Sequence, residues 1–255
     1  MNAIASTVDL VIKELDEVRF GFVDASYSNG LRDTYVRTVT DVTSIIQKSG
    51  RVLEIGAFTG VVSLTLNRLG YDVTAHDIPL VIMDPEMQVL LHSNRVSTVC
   101  FNLQNTPYDL PDAAFDAIIC CEVLEHLAFN PIPVVRELKR ILKPGGVIYI
   151  ATPNFASLVH RLALLKGRSF NNSPEHFVWA LNSTSAMSVG LHWKEYTKRE
   201  LLMFFELEGM RCVRHYYCRY VNRTMSSVLR RILVACIYRL FPSLMQCQVA
   251  TFTKN

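Results

Sequence analysis

The sequence predicts an α/β fold, built on a mostly parallel β-sheet with helices on both faces. Two observations indicate this fold. From Arg51 onward, apolar runs of strand length alternate with stretches of helical periodicity, as in βαβ units. The first apolar run stops at a glycine-containing turn, residues 56–60, which leads directly into an apolar helical stretch. With 255 residues, half of them hydrophobic, the chain can bury one core of good size.

Two helices are expected before the first strand. Apolar positions recur at intervals of three and four over residues 6–19 and 31–48. Ser6 is the expected N-cap of the first helix, and Asn29 or Gly30 that of the second. The loop between the two helices could fold over the glycine turn.

Five strands and three intervening helices follow. The strands are predicted at Val52–Ile55, Asp72–Ala75, Ser97–Phe101, Ala117–Cys121 and Val147–Ala151, and the helices at 60–69, 84–92 and 131–142. Ligands of such sheets bind beyond the carboxyl ends of the strands. The residues that end or follow the five strands are therefore candidate site residues: Glu54, Gly56, His76, Asp77, Asn102, Leu103, Cys121, Glu122, Thr152 and Asn154.

The glycine turn and one acidic residue together indicate a ligand that contains a nucleoside. Gly56 and Gly60 permit backbone angles that a Cβ resists and allow close approach of a ligand, while the next helix presents free N–H groups. Asp77 lies 17 residues past Gly60, at the end of the second strand, where a carboxylate can accept two hydrogen bonds from a ribose diol. Separately, each feature is also typical of an ordinary βα turn or a helix cap.

Four segments resemble the class I S-adenosylmethionine-dependent methyltransferases. They are Leu53–Gly60, His76-Asp77, Phe115–Leu127 and Leu142–Gly146. The Glu-Val-Leu-Glu-His and Leu-Lys-Pro-Gly-Gly sequences are particularly specific at this mutual distance. The resemblance covers residues 45–215 and implies a Rossmann-like, doubly wound sheet of seven strands with the last strand antiparallel. The final two strands are then expected at Arg211–Tyr217 and Gln248–Thr253.

The resemblance also implies S-adenosylmethionine as the cofactor and methyl transfer as the reaction. It assigns cofactor contacts to Glu54, Gly56 and Gly60, the ribose to Asp77, and the adenine to Asn102 and Leu103. Ala57, Cys121 and Glu122, at the same strand ends, complete the predicted cofactor-binding set. One departure stands out, because the family often has a third glycine where this chain has Phe58.

A metal site is a further possibility at the end of the fourth strand. Glu122, Glu125 and His126 are close in sequence, and His192 arrives later. Two carboxylates and two imidazoles could hold a divalent cation such as Mg²⁺. The pattern is similar to two metal-using groups, the ubiquinone-biosynthesis O-methyltransferases and the small-RNA 3′-end 2′-O-methyltransferases. Without a metal, His126 or His192 would act as general base, and with Glu125 they form the predicted catalytic set.

The insertion at residues 155–193 is expected to form the lid over the acceptor. Leu158 to Leu165 has the pattern of a short helix, and the remainder resembles a loop. Insertions after the fifth strand lie over the transferred methyl group in this architecture. The candidate acceptor contacts are Asn154, His176, Trp179 and His192.

The last part of the chain is basic. After Glu208 there are eight basic residues and no acidic one, within a net charge of +3. Residues 222–246 include an apolar helical stretch with arginines at its ends, too short to span a bilayer. It either contacts a membrane surface peripherally or packs on the sheet with its arginines extended into solvent.

We expect a single methyltransferase domain over 1–255, with N-terminal helices at 1–50, the cofactor core at 51–154, the insertion at 155–193 and the rest of the sheet at 194–255. The seven cysteines are odd in number and form no Cys-x-x-Cys pair, which disfavours disulfide and zinc frameworks. No basic and then apolar N-terminal signal is present, so we expect a cytoplasmic protein.

The predicted function is methylation of a small-molecule acceptor, with O-methylation favoured over N- or C-methylation. Two alternatives stay open: an RNA 2′-O-methyltransferase and a non-catalytic cofactor-binding scaffold. Nucleic acid is disfavoured as a partner because no RNA-binding module is visible and aromatic residues are not interleaved with the basic ones. The sequence does not indicate an oligomeric state.

Overall fold

A computed structural model of the chain describes residues 3–23, 27–182, 190–220 and 228–254. Seven strands form one sheet in the order β3-β2-β1-β4-β5-β7-β6. They are β1 Arg51–Ile55, β2 Asp72–His76, β3 Ser97–Val99, β4 Phe115–Cys121, β5 Leu142–Pro153, β6 Arg211–Cys218 and β7 Cys247–Thr253. β7 runs antiparallel to both of its neighbours, β5 and β6, whereas the other pairs of neighbouring strands are parallel. The predicted seven-stranded doubly wound sheet is therefore confirmed.

Eleven α-helices are formed by the described residues. They are α1 Ala3–Leu15, α2 Tyr27–Gly30, α3 Arg32–Thr43, α4 Val61–Arg68, α5 Pro79–Ile82, α6 Pro85–Ser93, α7 Ile132–Ile141, α8 Leu158–Leu165, α9 Pro174–Asn182, α10 Lys198–Glu206 and α11 Val228–Leu240. Because α1 begins at Ala3, Ser6 lies inside the helix and the prediction that it is the N-cap is wrong. The third helix ends at Thr43, five residues earlier than predicted.

The two faces of the sheet carry separate apolar clusters, because successive side chains of a strand point to opposite faces. Val52 of β1 packs in the cluster that includes α1, α3, α4 and α6. The next residue, Leu53, packs in the other cluster, with α7 and α10. On that second face, the rings of Phe205 and Phe252 stack with their centroids 3.9 Å apart. The helices packed on both faces hold the strands in place, and with them the strand ends that carry the candidate site residues.

One edge of the sheet collects the residues singled out in the sequence. Strands β1, β2, β4 and β5 end there, and the antiparallel β7 begins there. Asn154, directly after β5, is fully buried, and its Nδ2 donates to the carbonyls of Ser243 and Met245 at 2.9 and 2.8 Å. Its Oδ1 accepts from the Ala156 amide at 3.1 Å. Asn154 thus fastens the chain after β5, which contradicts the predicted acceptor contact.

The insertion and the C-terminal helix lie at the surface. The predicted helix at Leu158–Leu165 is present as α8, and none of its residues is buried. The apolar stretch of 222–246 forms α11, while residues 221–227 lie outside the described ranges. No helix within the described part of the chain has the length and hydropathy needed to cross a bilayer.

Candidate functional site

The glycine turn after β1 uses left-handed backbone angles at three of its five positions. The φ angles are +76° at Gly56, +45° at Phe58 and +78° at Gly60. At Gly56, a Cβ would lie only 2.5 Å from Cγ2 of Val123, so glycine is required by close packing as well as by φ. The turn is therefore held against the segment that follows β4.

Phe58 occupies a conformation that costs a non-glycine residue about 1–3 kcal/mol. Two kinds of contact hold it there. Its amide donates to Oδ2 of Asp77 at 2.7 Å. Its ring lies edge-on to those of Phe22 and Tyr27, with centroids 5.4 and 5.0 Å away. The loop before α2 thus folds over the glycine turn as predicted, although residues 24–26 lie outside the described ranges.

Asp77 links the glycine turn to the end of β2. Both of its carboxylate oxygens accept backbone amides, from Phe58 and from Ile78, each at 2.7 Å. Burial raises the pKa of Asp77, and these two hydrogen bonds oppose the rise. Each oxygen keeps a second lone pair, so the carboxylate can still accept the two hydroxyls of a ribose.

Glu54 is buried in β1 and accepts a hydrogen bond from the Ser63 hydroxyl of α4. Burial raises the pKa of Glu54 to about 8, and the hydrogen bonds from Ser63 only partly offset that rise. In this structure the side chain is therefore mainly protonated at neutral pH. A positively charged group beside it would favour the carboxylate.

The other residues predicted to bind the cofactor surround the same edge. The Ala57 amide donates to the carbonyl of His76 at 3.0 Å, and Cys121 ends β4 with a pKa that burial raises well above the ordinary value of a thiol. In the loop after β3, Asn102 Oδ1 accepts the Gln104 amide at 2.9 Å and is solvent-exposed. The carbonyl of Leu103 accepts the Tyr108 hydroxyl at 3.0 Å.

A cluster of one carboxylate and two imidazoles lies beyond β4. Ligand atoms of Glu125, His126 and His192 lie within 4.8 Å of one another. Glu125 is fully buried; its Oε2 accepts the Thr152 hydroxyl at 2.9 Å, and its Oε1 has no hydrogen-bond partner among the described residues. That free oxygen lies 3.9 Å from Nε2 of His126. The structure thus brings together three of the four predicted metal ligands.

The tautomers of both histidines follow from their partners. Nδ1 of His126 lies 3.0 Å from the carbonyl of Leu191, and Nδ1 of His192 lies 3.0 Å from Oε1 of Glu195. A carbonyl and an ionised carboxylate only accept hydrogen bonds, so each Nδ1 carries a proton. Burial also lowers the pKa of His126. Nε2 of His126 therefore carries a lone pair, and so does Nε2 of His192 when that ring is neutral.

Glu122, the fourth predicted ligand, is engaged elsewhere. Its Oε2 accepts the Tyr220 hydroxyl at 2.7 Å. Burial raises the pKa values of Glu122 and Glu125, and the charge of Glu122 raises that of Glu125 further. A buried carboxyl group whose ionisation is opposed both by burial and by a second carboxylate forms a place where bound positive charge is favourable.

Three residues of this region were missed in the sequence. Tyr220 and Glu195 reach the site from distant segments, and neither lies in a motif. Arg37 of α3 has Nε and Nη2 buried without a hydrogen-bond partner among the described residues, and its charge opposes the rise in the pKa of Glu122. The sequence held one signal that could have identified Arg37. Arg37 and Asp41 are charged residues four positions apart, on a helix that packs against the sheet.

Comparison with known proteins bears on this arrangement. Residues 27–200 match a family model described as a methyltransferase domain. A ubiquinone biosynthesis O-methyltransferase from Xanthomonas campestris pv. campestris is 32% identical over 116 residues, which are 45% of this chain and 48% of the relative. The chain thus matches about half the length of this relative.

Solved structures show the same fold at low sequence identity. A SAM-dependent methyltransferase from Methanosarcina mazei has a TM-score of 0.59 at 17% identity, covering 84% of this chain and 96% of its own. The cyclase SpnF has a TM-score of 0.60 at 18% identity, covering 98% of this chain and 93% of its own. A cyclase among the neighbours shows that function has to be argued from the site.

Proposed function

Because this chain belongs to the methyltransferase domain family, we propose that it transfers a methyl group from S-adenosylmethionine to a hydroxyl group of a small molecule. In the reaction an acceptor oxygen attacks the methyl carbon in line, the carbon–sulfur bond breaks, and the hydroxyl proton leaves. One observation carries the oxygen preference. Glu125, His126 and His192 converge after β4, in the region whose Val123 packs against the glycine turn, and there they can remove or displace that proton.

The residues around the turn fit the cofactor chemically. Asp77 offers two further lone pairs to a ribose diol, and Arg37 has N–H groups that find no acceptor among the described residues and suit a carboxylate. Glu54 is protonated without a cation nearby, so an ammonium group would shift it to the carboxylate. We infer that Arg37 and Glu54 together bind the amino-acid end of the cofactor. The cofactor supplies an activated methyl group on a sulfonium.

The cluster beyond β4 also fits a divalent cation. Oε1 of Glu125 is buried with no hydrogen-bond partner in the part of the chain that the structure describes, and Nε2 of His126 and of His192 carry lone pairs in their neutral rings. Such an ion supplies a Lewis acid that lowers the pKa of an acceptor hydroxyl. Two imidazoles with one carboxylate favour a first-row transition ion over Mg²⁺. Glu195 holds His192 in the required tautomer, and Thr152 orients Glu125.

The acceptor side is proposed to be the insertion at 155–193. His176 and Trp179 lie on α9, and His192 joins the metal cluster. The ring of Trp193, next in the chain, is 52% exposed and lies 6.0 Å from that of Phe177. Exposed aromatic rings near the cluster suit a planar phenolic acceptor. A cytoplasmic location is part of this proposal, since all seven cysteines are free thiols.

Peripheral membrane contact through 222–246 is a second part of the proposal. Ile232, Leu233, Leu240 and Phe241, in and just after α11, are each more than half exposed, and Arg239 lies among them. An apolar face beside a basic residue suits an anionic lipid surface.

Flotation with vesicles containing anionic phospholipid tests this idea. Leu233→Ser should weaken flotation, whereas Val89→Ser, which changes a similarly exposed residue on α6, should leave it unchanged. Equal flotation of both variants would refute the membrane contact.

The proposed reaction is tested with methyl-labelled S-adenosylmethionine and catechol, with Mn²⁺, with Mg²⁺ and with chelator. We expect O-methylated catechol with either ion, faster with Mn²⁺, and little with chelator. Glu125→Gln should reduce transfer by about 10²-fold or more because it removes the anionic oxygen of the cluster. Glu86→Gln, an exposed site on α6, is the matched control and should match the wild type.

Two other outcomes separate the alternatives. Transfer to the 3′ end of a short RNA but to no small hydroxyl compound would identify an RNA 2′-O-methyltransferase. Tight binding of S-adenosylhomocysteine without transfer to any acceptor would identify a non-catalytic scaffold. Transfer that is equal in wild type and in Glu125→Gln would exclude the cluster from the reaction.

A further inference from the structure

Two cysteine residues at the carboxyl edge of the sheet have no part in the proposed reaction. Cys218 ends β6 and Cys247 begins β7, and they are direct cross-strand partners in this antiparallel pair. Directly opposed residues of such a pair have Cα atoms about 4.5–5.5 Å apart, within the range of about 4.4–6.8 Å that disulfides span. Both are free thiols in the structure.

The two thiols are in contact and differ in accessibility. A hydrogen bond with the Cys247 thiol lowers the pKa of Cys218, and the nearby charge of Arg37 acts in the same direction. Cys218 is half-buried, whereas Cys247 is fully buried. Because the thiolate is the reactive form of cysteine, Cys218 is the thiol that a small oxidant would meet first.

We propose that Cys218 and Cys247 form a peroxide-reactive thiol pair that closes a disulfide beside the candidate active site. The Cys218 thiolate attacks hydrogen peroxide; a sulfur–oxygen bond forms, the oxygen–oxygen bond breaks, and hydroxide leaves as water after taking a proton. The Cys247 sulfur then attacks the sulfenic sulfur, the sulfur–oxygen bond breaks, and the second hydroxide takes the Cys247 proton. The thiols lose two electrons in total, and peroxide becomes two waters.

The disulfide would act on the site through Glu122. Sγ of Cys247 lies 3.9 Å from Oε1 of Glu122, and Tyr220, two residues after Cys218, donates its hydroxyl to the other oxygen. Bond formation removes the Cys247 thiol proton, the one proton that this sulfur can offer to Cys218 or to Glu122, and draws Cys247 toward Cys218. We therefore expect slower methyl transfer in the oxidised protein; this consequence rests on the proposed function.

Peptide mapping tests the pair itself without reference to methyl transfer. The full chain is treated with hydrogen peroxide, remaining thiols are alkylated, and peptides are analysed without reductant. We expect a linked pair of peptides containing Cys218 and Cys247, absent from Cys218→Ser. Cys212→Ser removes a thiol of the same strand that faces Phe252, and it should leave the link intact. Full alkylation of Cys218 and Cys247, under peroxide that oxidises the exposed Cys236, would overturn the proposal.

The effect on the site is measured separately. Turnover of the oxidised wild type should fall by about fivefold or more and recover with dithiothreitol, whereas Cys218→Ser should not respond to peroxide. If the Cys218–Cys247 disulfide forms completely and turnover is unchanged, the idea that the disulfide acts on the site through Glu122 is wrong. If no acceptor is methylated at all, the proposed function fails, and the peptide map still decides whether the thiol pair forms.

Discussion

Replacing Glu54 by glutamine should stabilise the protein progressively as the pH rises from about 4.5 towards 8. The folded-state pKa of about 8 lies above the ordinary value of 4.5. A carboxyl whose pKa is raised on folding contributes stability below its unfolded pKa, and that stability is lost as the pH rises towards 8. The difference corresponds to at most about 5 kcal/mol, because one pKa unit is about 1.4 kcal/mol. Allowing for water entry and relaxation around the charge, we expect about 2–3 kcal/mol.

Glutamine keeps an oxygen that can accept the Ser63 hydroxyl but never ionises. At pH 8.5 without cofactor, Glu54→Gln should therefore melt about 4–12 °C above the wild type, since about 2–4 °C corresponds to 1 kcal/mol in a chain of this size. At pH 5, only slightly above the ordinary pKa of 4.5, the difference should shrink to about 1–2 °C.

Thermal unfolding followed by intrinsic fluorescence, from pH 5 to 9, measures this difference. The exposed Glu86→Gln serves as control and should show no pH-dependent gain. Glu54→Gln should also lose affinity for S-adenosylhomocysteine, because its amide cannot pair with an ammonium group. A Glu54→Gln protein whose melting temperature differs from the wild type by the same amount at every pH would refute the assigned burial of the Glu54 charge.

Three further substitutions test the packing around the site. Gly56→Ala should destabilise the protein by about 2 kcal/mol or more, because its Cβ meets Val123 and its φ is positive, whereas Gly60→Ala, with no contact closer than 3.5 Å, should cost only about 1 kcal/mol. Denaturant unfolding measures both, and equal costs would contradict the close approach of Val123. Asp41→Asn should cost about 1–3 kcal/mol, because Asp41 is buried and accepts the Arg214 guanidinium at 3.0 Å. Unchanged stability of this variant in urea would contradict that network.

The strands were predictable because short apolar runs alternate with amphipathic helices in the sequence. A strand that is buried on both faces of a sheet needs apolar side chains at successive positions, which produces such a run. The candidate cofactor residues were predicted from the same rule, since parallel strands deliver their ends to one edge, and their contacts with a cofactor stay a prediction. Glu125, His126 and His192 also meet in the structure, although 65 residues separate the first two from the third. There the family resemblance supplied what spacing alone could not.

What escaped prediction depends on tertiary contacts. Phe58 looked like a weakness of the glycine turn, and its compensation comes from Phe22 and Tyr27, which no local rule places there. Asn154 looked like an acceptor contact because it follows a strand, yet its amide fastens the segment before β7. Arg37 and Tyr220 were invisible for the same reason, because an isolated polar residue reveals its role only when its neighbours from other elements are known.

Binding of S-adenosylhomocysteine to the wild type and to Asp77→Asn, measured by titration calorimetry, tests the central claim most directly. The account predicts one site per chain in the wild type. It also predicts at least about tenfold weaker binding in Asp77→Asn, because the amide replaces one acceptor oxygen of the ribose contact with a donor. Absence of binding heat at saturating ligand in the wild type, with the protein folded, would contradict the account.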